Sequence, residues 1–176
     1  FARCDIRHIL VRHEQSASHM ADGFGRVSRK PGVCFATSGP GATNILTGLA
    51  TAQADSAPMI AVTGQVPVAM IGKDAFQESD IIGMANPVVK YAFQPRLPGE
   101  VPEAVRKGFY IAETGRPGPV LLDIPKDVQQ NEAPMDFPDE FKIQGYHPWN
   151  DPDIGSVEKA IDMLLNSERP IILAGG

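Results

Sequence analysis

Residues 32–44 have the sequence GVCFATSGPGATN, which is the clearest indication of the fold class. It begins with an apolar run from Gly32 to Thr37 and continues through a glycine-rich turn. Behind the turn, Ile45, Leu49 and Ala52 recur at the spacing of one helix face, which predicts a helix over residues 42–55. A buried strand, a tight turn and a helix in this order indicate an α/β unit with a parallel sheet.

The same alternation continues on both sides of this stretch. Further apolar runs predict strands, and apolar residues at helical spacing predict helices. We predict strands at residues 6–11, 32–37, 58–63, 88–93 and 119–124, and helices at residues 14–26, 42–55 and 101–115. This order predicts an α/β fold with a doubly wound, mostly parallel sheet and helices on both faces.

The composition changes after the last of these strands. Prolines and acids become frequent between residues 126 and 156, without helical or strand periodicity, which is typical of an extended linker. An amphipathic helix over residues 157–165 and a strand over residues 170–174 then begin a second α/β domain. We predict a first domain over residues 1–128, a linker over 129–155 and a truncated second domain over 156–176.

Composition excludes several classes of function. A net charge of −5 argues against a nucleic-acid partner, and no apolar run is long enough to span a membrane. The two cysteines, Cys4 and Cys34, have no CxxC or metal-ligand spacing, so we expect packed, reduced thiols in a cytoplasmic protein. The four histidines lack the spacing of a zinc site, and we predict no metal ligand in this chain.

Glu14 is the first candidate for chemistry. It follows an apolar run, within the stretch Arg12-His13-Glu14-Gln15, and stands at the start of a predicted helix. Ligands of α/β proteins gather where strands end and helices begin, which favours a functional carboxylate. A glutamate in the first turn of a helix also complements the helix dipole without any further function. The local sequence leaves both interpretations open.

The glycine-rich turn is the second candidate. A dinucleotide-binding turn would have a third glycine where Asn44 stands and an acid after the next strand, whereas Asp55 falls at the end of the helix. A turn shaped for another ligand, or a tight turn that only permits close packing, remains. The long segment from Gly64 to Ser79 has no regular period, and such loops are often functional.

Longer stretches around these features resemble the thiamine-diphosphate-dependent enzyme family, and within it most closely the catalytic subunits of acetolactate synthases. The matching stretches are VRHEQ at 11–15, ATSGPGATN at 36–44, VTGQVP at 62–67, IGKDAFQE at 71–78, TGRPGPV at 114–120 and DIPKDVQ at 123–129. Their common order over residues 6–130 makes the resemblance far more specific than one glycine turn. It implies that most of the chain is a pyrimidine-binding domain.

The resemblance implies a catalytic role for Glu14, which would hydrogen-bond the aminopyrimidine ring of thiamine diphosphate and so promote deprotonation of its thiazolium ring. A pKa raised by burial would suit that task. Pro40, Asn44 and Gln77 would line the pyrimidine side of the cofactor.

The resemblance also implies contacts outside the pyrimidine site. Phe76 would lie near the substrate, and Val66, Pro67 and Lys126 at the mouth of the access channel. Arg116 would contact FAD. For Phe76 and Pro67 ordinary loop packing is an equal alternative, and for Arg116 the alternative is a solvated arginine at a helix end.

The whole enzyme would convert two pyruvates to 2-acetolactate and CO2, or pyruvate and 2-oxobutyrate to the homologous acid, in branched-chain amino acid biosynthesis. Its Mg²⁺ would be bound by a C-terminal domain that these 176 residues lack, as they lack the first strand and helix of the pyrimidine-binding domain. The active site would lie between subunits of a homodimer or homotetramer, with a possible small regulatory subunit. We therefore expect the segment alone to be inactive.

Several alternatives stay open. Pyruvate oxidase and sulfoacetaldehyde acetyltransferase belong to the same family and share its pyrimidine-binding chemistry. A non-catalytic interaction module could keep the fold and lose the activity, although an intact Glu14 argues against it. A nicotinamide-binding oxidoreductase is disfavoured by Asn44 and the missing acid.

Overall fold

A computed structural model of the chain describes residues 5–134, 136–137, 143–148 and 151–173. The chain forms two units, Phe1–Lys142 and Ile143–Gly176. The domain and linker boundaries given above remain predictions. Within the described ranges, no helix combines the length and apolarity needed to cross a membrane.

Seven α-helices and four strands are found in the described residues. The helices are α1 (Glu14–Ser28), α2 (Pro40–Asn44), α3 (Leu46–Ala54), α4 (Ile81–Ala85), α5 (Val101–Glu113), α6 (Lys126–Gln130) and α7 (Ile154–Leu165). The strands are β1 (Gly32–Ala36), β2 (Met59–Gln65), β3 (Tyr91–Phe93) and β4 (Pro119–Pro125). All except α7 lie in the first unit.

The strands form one parallel sheet in the order β1-β2-β4-β3. Helices cover both faces of it. On one face, Cys34 and Leu121 share a buried cluster with Leu49 of α3. On the other face, α5 approaches Val120 and Leu122 at Gly108, where a side chain would touch both residues. The predicted α/β fold with a doubly wound parallel sheet is therefore confirmed.

Two predicted strands are not formed. Residues 6–11 are not part of the sheet, and Ile6, Ile9 and Leu10 are exposed. An apolar run becomes a strand only where a neighbouring strand accepts its backbone hydrogen bonds, and this segment has none among the described residues. Residues 170–173 also lack strand structure, and residue 174 of that prediction lies outside the described residues.

The helix predicted over residues 42–55 is broken in two. The break falls at Ile45, whose N–H donates to the carbonyl of Ala42 instead of continuing a regular helical ladder. Ile45 is fully buried, so the break is packed into the core. Two short helices, α4 and α6, were not predicted because neither is long enough to show a period.

Candidate functional site

Glu14 and Asn44 meet beside the glycine-rich turn. Glu14 is the first residue of α1, whose N-cap is His13, and the His13 Nδ1 accepts a hydrogen bond from the Gln15 N–H at 3.1 Å. Asn44 is the last residue of α2, and its Nδ2 donates to Glu14 Oε2 at 3.0 Å. Both side chains are partly exposed. This hydrogen bond joins two motifs that are far apart in sequence, and we call the two bonded residues the Glu14–Asn44 unit.

The surroundings of Glu14 favour its charged form. The hydrogen bond from Asn44 lowers the pKa of Glu14 most, and its own backbone N–H lowers it further, while burial opposes both. In this chain alone, therefore, the pKa of Glu14 is lowered and not raised by burial. The physical reason is that a partly exposed carboxylate loses little hydration, so hydrogen bonding to the charged form dominates.

Two glycines let other groups approach the turn closely. A Cβ on Gly41 would lie 2.7 Å from Thr37 Cγ2 and 3.4 Å from Glu14 Oε1. Gly39 has a φ of 62°, and a Cβ there would lie 2.7 Å from the Gln77 carbonyl oxygen. The turn therefore brings the Glu14 carboxylate and the backbone of Gln77 to its two sides.

The segment that carries Gln77 is held by Glu78. The Ala75 N–H donates to Glu78 Oε2 at 2.9 Å, and the Gly72 N–H donates to Oε1. These backbone donors, Gly72 first, lower the pKa of Glu78. Gln77 adopts a positive φ of 59°, and the preceding Phe76 is 88% exposed. Glu78 thus fixes a tight loop that presents the two preceding side chains to solvent.

The residues assigned to the pyrimidine side are brought together. Glu14 bonds Asn44, Pro40 opens α2 directly after Gly39, and Gln77 packs on Gly39. Pro40 and Asn44 follow the carboxyl end of β1, and Gln77 follows that of β2, where ligands of parallel sheets bind. Glu14 joins them from the start of α1 through its hydrogen bond with Asn44. Their contacts with a cofactor remain predictions.

The channel residues form a second group. Val66 is buried, and Pro67 is partly exposed. The next residue, Val68, donates its N–H to Asp127 Oδ1 at 3.1 Å, which places the exposed Lys126 close to this segment. Val66, Pro67 and Lys126 therefore lie near one another, whereas Phe76 is at the far end of the same loop. Their roles toward a substrate remain predictions.

Arg116 lies apart from both groups. Its Nε donates to Ser56 Oγ at 2.7 Å, and its Nη2 donates to the carbonyls of Ala54 at 3.1 Å and Gln53 at 3.2 Å. It thus caps the carboxyl end of α3, in the turn that leads into the start of β4. Arg116 is exposed and follows the end of α5, and its contact with FAD remains a prediction.

Sequence reasoning missed a buried polar cluster centred on Asp123. This residue is fully buried, and it accepts hydrogen bonds from Thr63 Oγ1 at 2.7 Å, Gln94 Nε2 at 2.7 Å and Gln65 Nε2 at 3.1 Å. Burial is the main cause that raises the pKa of Asp123. The available signal was an acid inside the apolar run of β4, since buried acids require partners.

Of the two cysteines predicted to be packed, reduced thiols, Cys34 lies within the described residues and Cys4 lies outside them. Cys34 is buried and forms no disulfide, and burial raises the pKa of its thiol to about 12. Among the described residues, no group of three or more His, Cys, Asp or Glu side chains could hold a metal ion.

Comparisons with known proteins identify the family. Residues 1–84 match the model described as "Thiamine pyrophosphate enzyme, N-terminal TPP binding domain". Over 98% of its length the chain is 53% identical to the probable acetolactate synthase large subunit of Methanococcus aeolicus. The chain belongs to the thiamine pyrophosphate enzyme family. The resemblance of its motifs to this family is therefore confirmed.

Other relatives carry the same name. The identity is 49% over 97% of the chain with the acetolactate synthase large subunit of Haemophilus influenzae. It is 46% over the whole chain with that of Corynebacterium glutamicum. The chain spans only 29%, 30% and 28% of the lengths of these three relatives, respectively.

The chemistry of the site fits the aminopyrimidine part of thiamine pyrophosphate. Glu14 supplies a charged acceptor whose orientation Asn44 fixes. Gly41 is buried, and its lack of a side chain lets Thr37 and the Glu14 carboxylate pack closely against the turn. A partly exposed carboxylate held beside a tight turn is an acceptor suited to a nitrogen-containing ring.

Proposed function

We propose that the full-length protein containing this chain is the catalytic subunit of an acetolactate synthase. It would convert two pyruvates to 2-acetolactate and CO2, or pyruvate and 2-oxobutyrate to the homologous acid, in branched-chain amino acid biosynthesis. One observation carries the proposal: the Glu14 carboxylate is held by Asn44 beside the glycine-rich turn, in a chain about half identical to acetolactate synthase large subunits.

The residues of this chain would act on one side of the cofactor. Thiamine diphosphate, when bound, supplies the carbanion chemistry, and the protein orients it and excludes water. Glu14 would hydrogen-bond a ring nitrogen and hold a proton there, and Asn44 would keep the carboxylate oriented. Pro40 and Gln77 would pack on the ring. Covering the site would bury Glu14 and move its pKa upward, toward the range in which a carboxyl exchanges protons at neutral pH.

The remaining partners follow from the family resemblance. Mg²⁺ and the diphosphate group would bind outside residues 1–176. FAD would lie against Arg116, and Phe76, Val66, Pro67 and Lys126 would border the path of the substrate. The enzyme would be a cytoplasmic homodimer or homotetramer with active sites between subunits, joined by a small regulatory subunit in some states.

An assay of the full-length enzyme tests the proposal. The purified protein is incubated with pyruvate, thiamine diphosphate and Mg²⁺ in phosphate buffer under oxygen, and acetolactate and acetyl phosphate are both quantified. We expect acetolactate as the main product, and the mixed acid when 2-oxobutyrate is added. Acetyl phosphate as the main product would indicate pyruvate oxidase chemistry, and no product from pyruvate would refute the proposed reaction.

A second substrate addresses the other relative within the family. Sulfoacetaldehyde is supplied in place of pyruvate under the same conditions. We expect no acetyl phosphate from it. Its efficient conversion, together with inactivity on pyruvate, would assign the protein to the acetyltransferases instead.

A further inference from the structure

The buried cluster around Asp123 joins the sheet to the loop that carries the site residues. Asp123 and Thr63 are register partners on β4 and β2, and Thr63 is 1% exposed and Asp123 fully buried. The Asp123 Oδ1 accepts from the Thr63 hydroxyl, and Oδ2 accepts from the amides of Gln65 and Gln94. A buried carboxylate with three donors is held in one orientation.

The Gln65 side chain connects the two ends of the loop. Its Oε1 accepts from the Val66 N–H at 2.9 Å, and its Nε2 donates to the Ser79 carbonyl at 2.9 Å. The same Nε2 donates to Asp123 Oδ2 at 3.1 Å. Asp123 therefore fixes which end of the amide faces the sheet, because a flipped amide would place its oxygen against the carboxylate.

The loop closed in this way spans residues 66–79. It begins with the channel residues Val66 and Pro67 and ends just after Phe76 and Gln77. Fixing both ends of a loop removes conformations that the chain between them would otherwise sample. Glu78 orders the distal turn of the same loop, and Gln77 packs on Gly39. Gln65 and Asp123 are themselves buried, so they hold the loop from the protein interior.

We propose that Asp123 and Gln65 are positioning residues that hold the loop 66–79 in register with the Glu14–Asn44 unit. They touch neither cofactor nor substrate, and they act through the backbone of Val66 and Ser79. The kinetic part of this inference rests on the proposed function, whereas the structural part concerns the loop alone.

Gln65→Met and Gln94→Met form a matched pair for the test. Each substitution removes one amide donor to the same Asp123 oxygen and keeps an unbranched side chain of similar length. Only Gln65 also binds Val66 and Ser79. In the full-length enzyme we expect Gln65→Met to lower kcat/KM for pyruvate by about 10- to 100-fold and to raise the thiamine diphosphate concentration for half-saturation. Gln94→Met should change kcat/KM and the half-saturating thiamine diphosphate concentration by no more than about twofold, because Gln94 does not hold the loop.

Asp123→Asn tests the orienting role of the carboxylate. The asparagine oxygen can accept from Gln65 and Gln94, and its amide can donate to the Thr63 hydroxyl oxygen. We expect this variant to keep kcat/KM within about threefold, because the geometry of Gln65 is retained. Asp123→Ala should lower kcat/KM as much as Gln65→Met does.

Hydrogen exchange separates the loop inference from the proposed function. Amides of residues 66–79 should exchange faster in Gln65→Met than in the wild type and Gln94→Met, whether or not the enzyme makes acetolactate. Equal exchange in both variants, or equal losses of kcat/KM, would overturn the inference. Absence of acetolactate in the wild type with selective loop exchange would refute the function and leave the positioning role standing.

Discussion

Asn44 Nδ2 lies 3.0 Å from Glu14 Oε2, and this hydrogen bond joins the end of α2 to the first turn of α1. It links the glycine-rich turn to the carboxylate that follows the apolar run at residues 6–11. The bond both orients Glu14 and lowers its pKa, so the isolated domain presents a charged acceptor. A cofactor ring that covers this acceptor would change its solvation directly.

The conformation of Gly39 makes the turn sensitive to a side chain. Gly39→Ala should lower the free energy of unfolding by about 1–3 kcal/mol, because the positive φ of 62° is strained for alanine. The new Cβ would also meet the Gln77 carbonyl oxygen at 2.7 Å and displace the loop. The denaturant midpoint should fall, and the thiamine diphosphate concentration needed for half-saturation should rise.

Gly23→Ala is the matched control for that substitution. Gly23 lies inside α1, and a Cβ there would meet no atom within 4 Å. Alanine at this position should raise the free energy of unfolding by up to about 1 kcal/mol through its helix propensity. Equal destabilisation by both substitutions would contradict the role given to Gly39.

Glu78 should give the loop a pH dependence of defined sign. Its pKa is lowered from 4.5 by the backbone donors of Gly72 and Ala75, so the unfolded chain binds a proton more readily than the folded one. The stabilisation is therefore present above pH 4.5 and is lost as the pH falls through the folded-state pKa. Thermal unfolding midpoints of the wild type and Glu78→Gln should differ near neutral pH and converge in acid.

A charge-matched control accompanies this comparison. Glu113→Gln removes an exposed glutamate from the end of α5 and leaves the loop unchanged. The anchoring role would be contradicted if the difference in unfolding midpoint between the wild type and Glu78→Gln became larger in acid. It would also be contradicted if Glu113→Gln shifted the midpoint as much as Glu78→Gln at every pH.

Cys34 should be inert while the protein is folded. Its side chain is buried, and the pKa of about 12 leaves almost no thiolate at mildly alkaline pH. Site-resolved mass spectrometry after alkylation should find Cys34 unmodified in the native protein and modified in denaturant. Rapid labelling of the native protein would show that this part of the sheet is open to solvent.

The Arg116→Ala variant distinguishes a helix-capping role of Arg116 from a role in binding FAD. Arg116→Ala removes hydrogen bonds to Ser56 and the last carbonyls of α3, which should lower the free energy of unfolding by about 1 kcal/mol. If Arg116 also contacts FAD, a fluorescence titration of the full-length variant should show weaker FAD binding. Unchanged FAD affinity with lowered stability would leave capping as its only role.

The buried strands and the long amphipathic helix α5 could be predicted from the sequence, because β2 and β4 are apolar runs buried almost throughout and α5 buries one face at helical spacing. The run at residues 6–11 has the same composition as a strand, but pairing depends on a neighbour that local sequence does not contain. The break at Ile45 is a product of packing, since its neighbours alone favour a continuous helix.

The contacts among the candidate site residues could not be predicted from the sequence. Glu14 and Asn44 were both expected near the cofactor, yet their hydrogen bond arises only when α1 and α2 pack together. Asp123 was missed because the strand was predicted from its apolar residues, and the single acid within it did not change that prediction. Arg116 binds a residue 60 positions away, which no local pattern records.

Glu14→Gln in the full-length enzyme tests whether Glu14 is the catalytic carboxylate. Glutamine keeps the size and can still accept from Asn44, but it cannot hold and return a proton. We expect a circular dichroism spectrum and an unfolding midpoint close to those of the wild type, and a loss of acetolactate formation of about 100- to 10,000-fold. The control Glu113→Gln should keep full activity. Acetolactate formation by Glu14→Gln within about twofold of the wild type would contradict the assignment of Glu14 as the catalytic carboxylate.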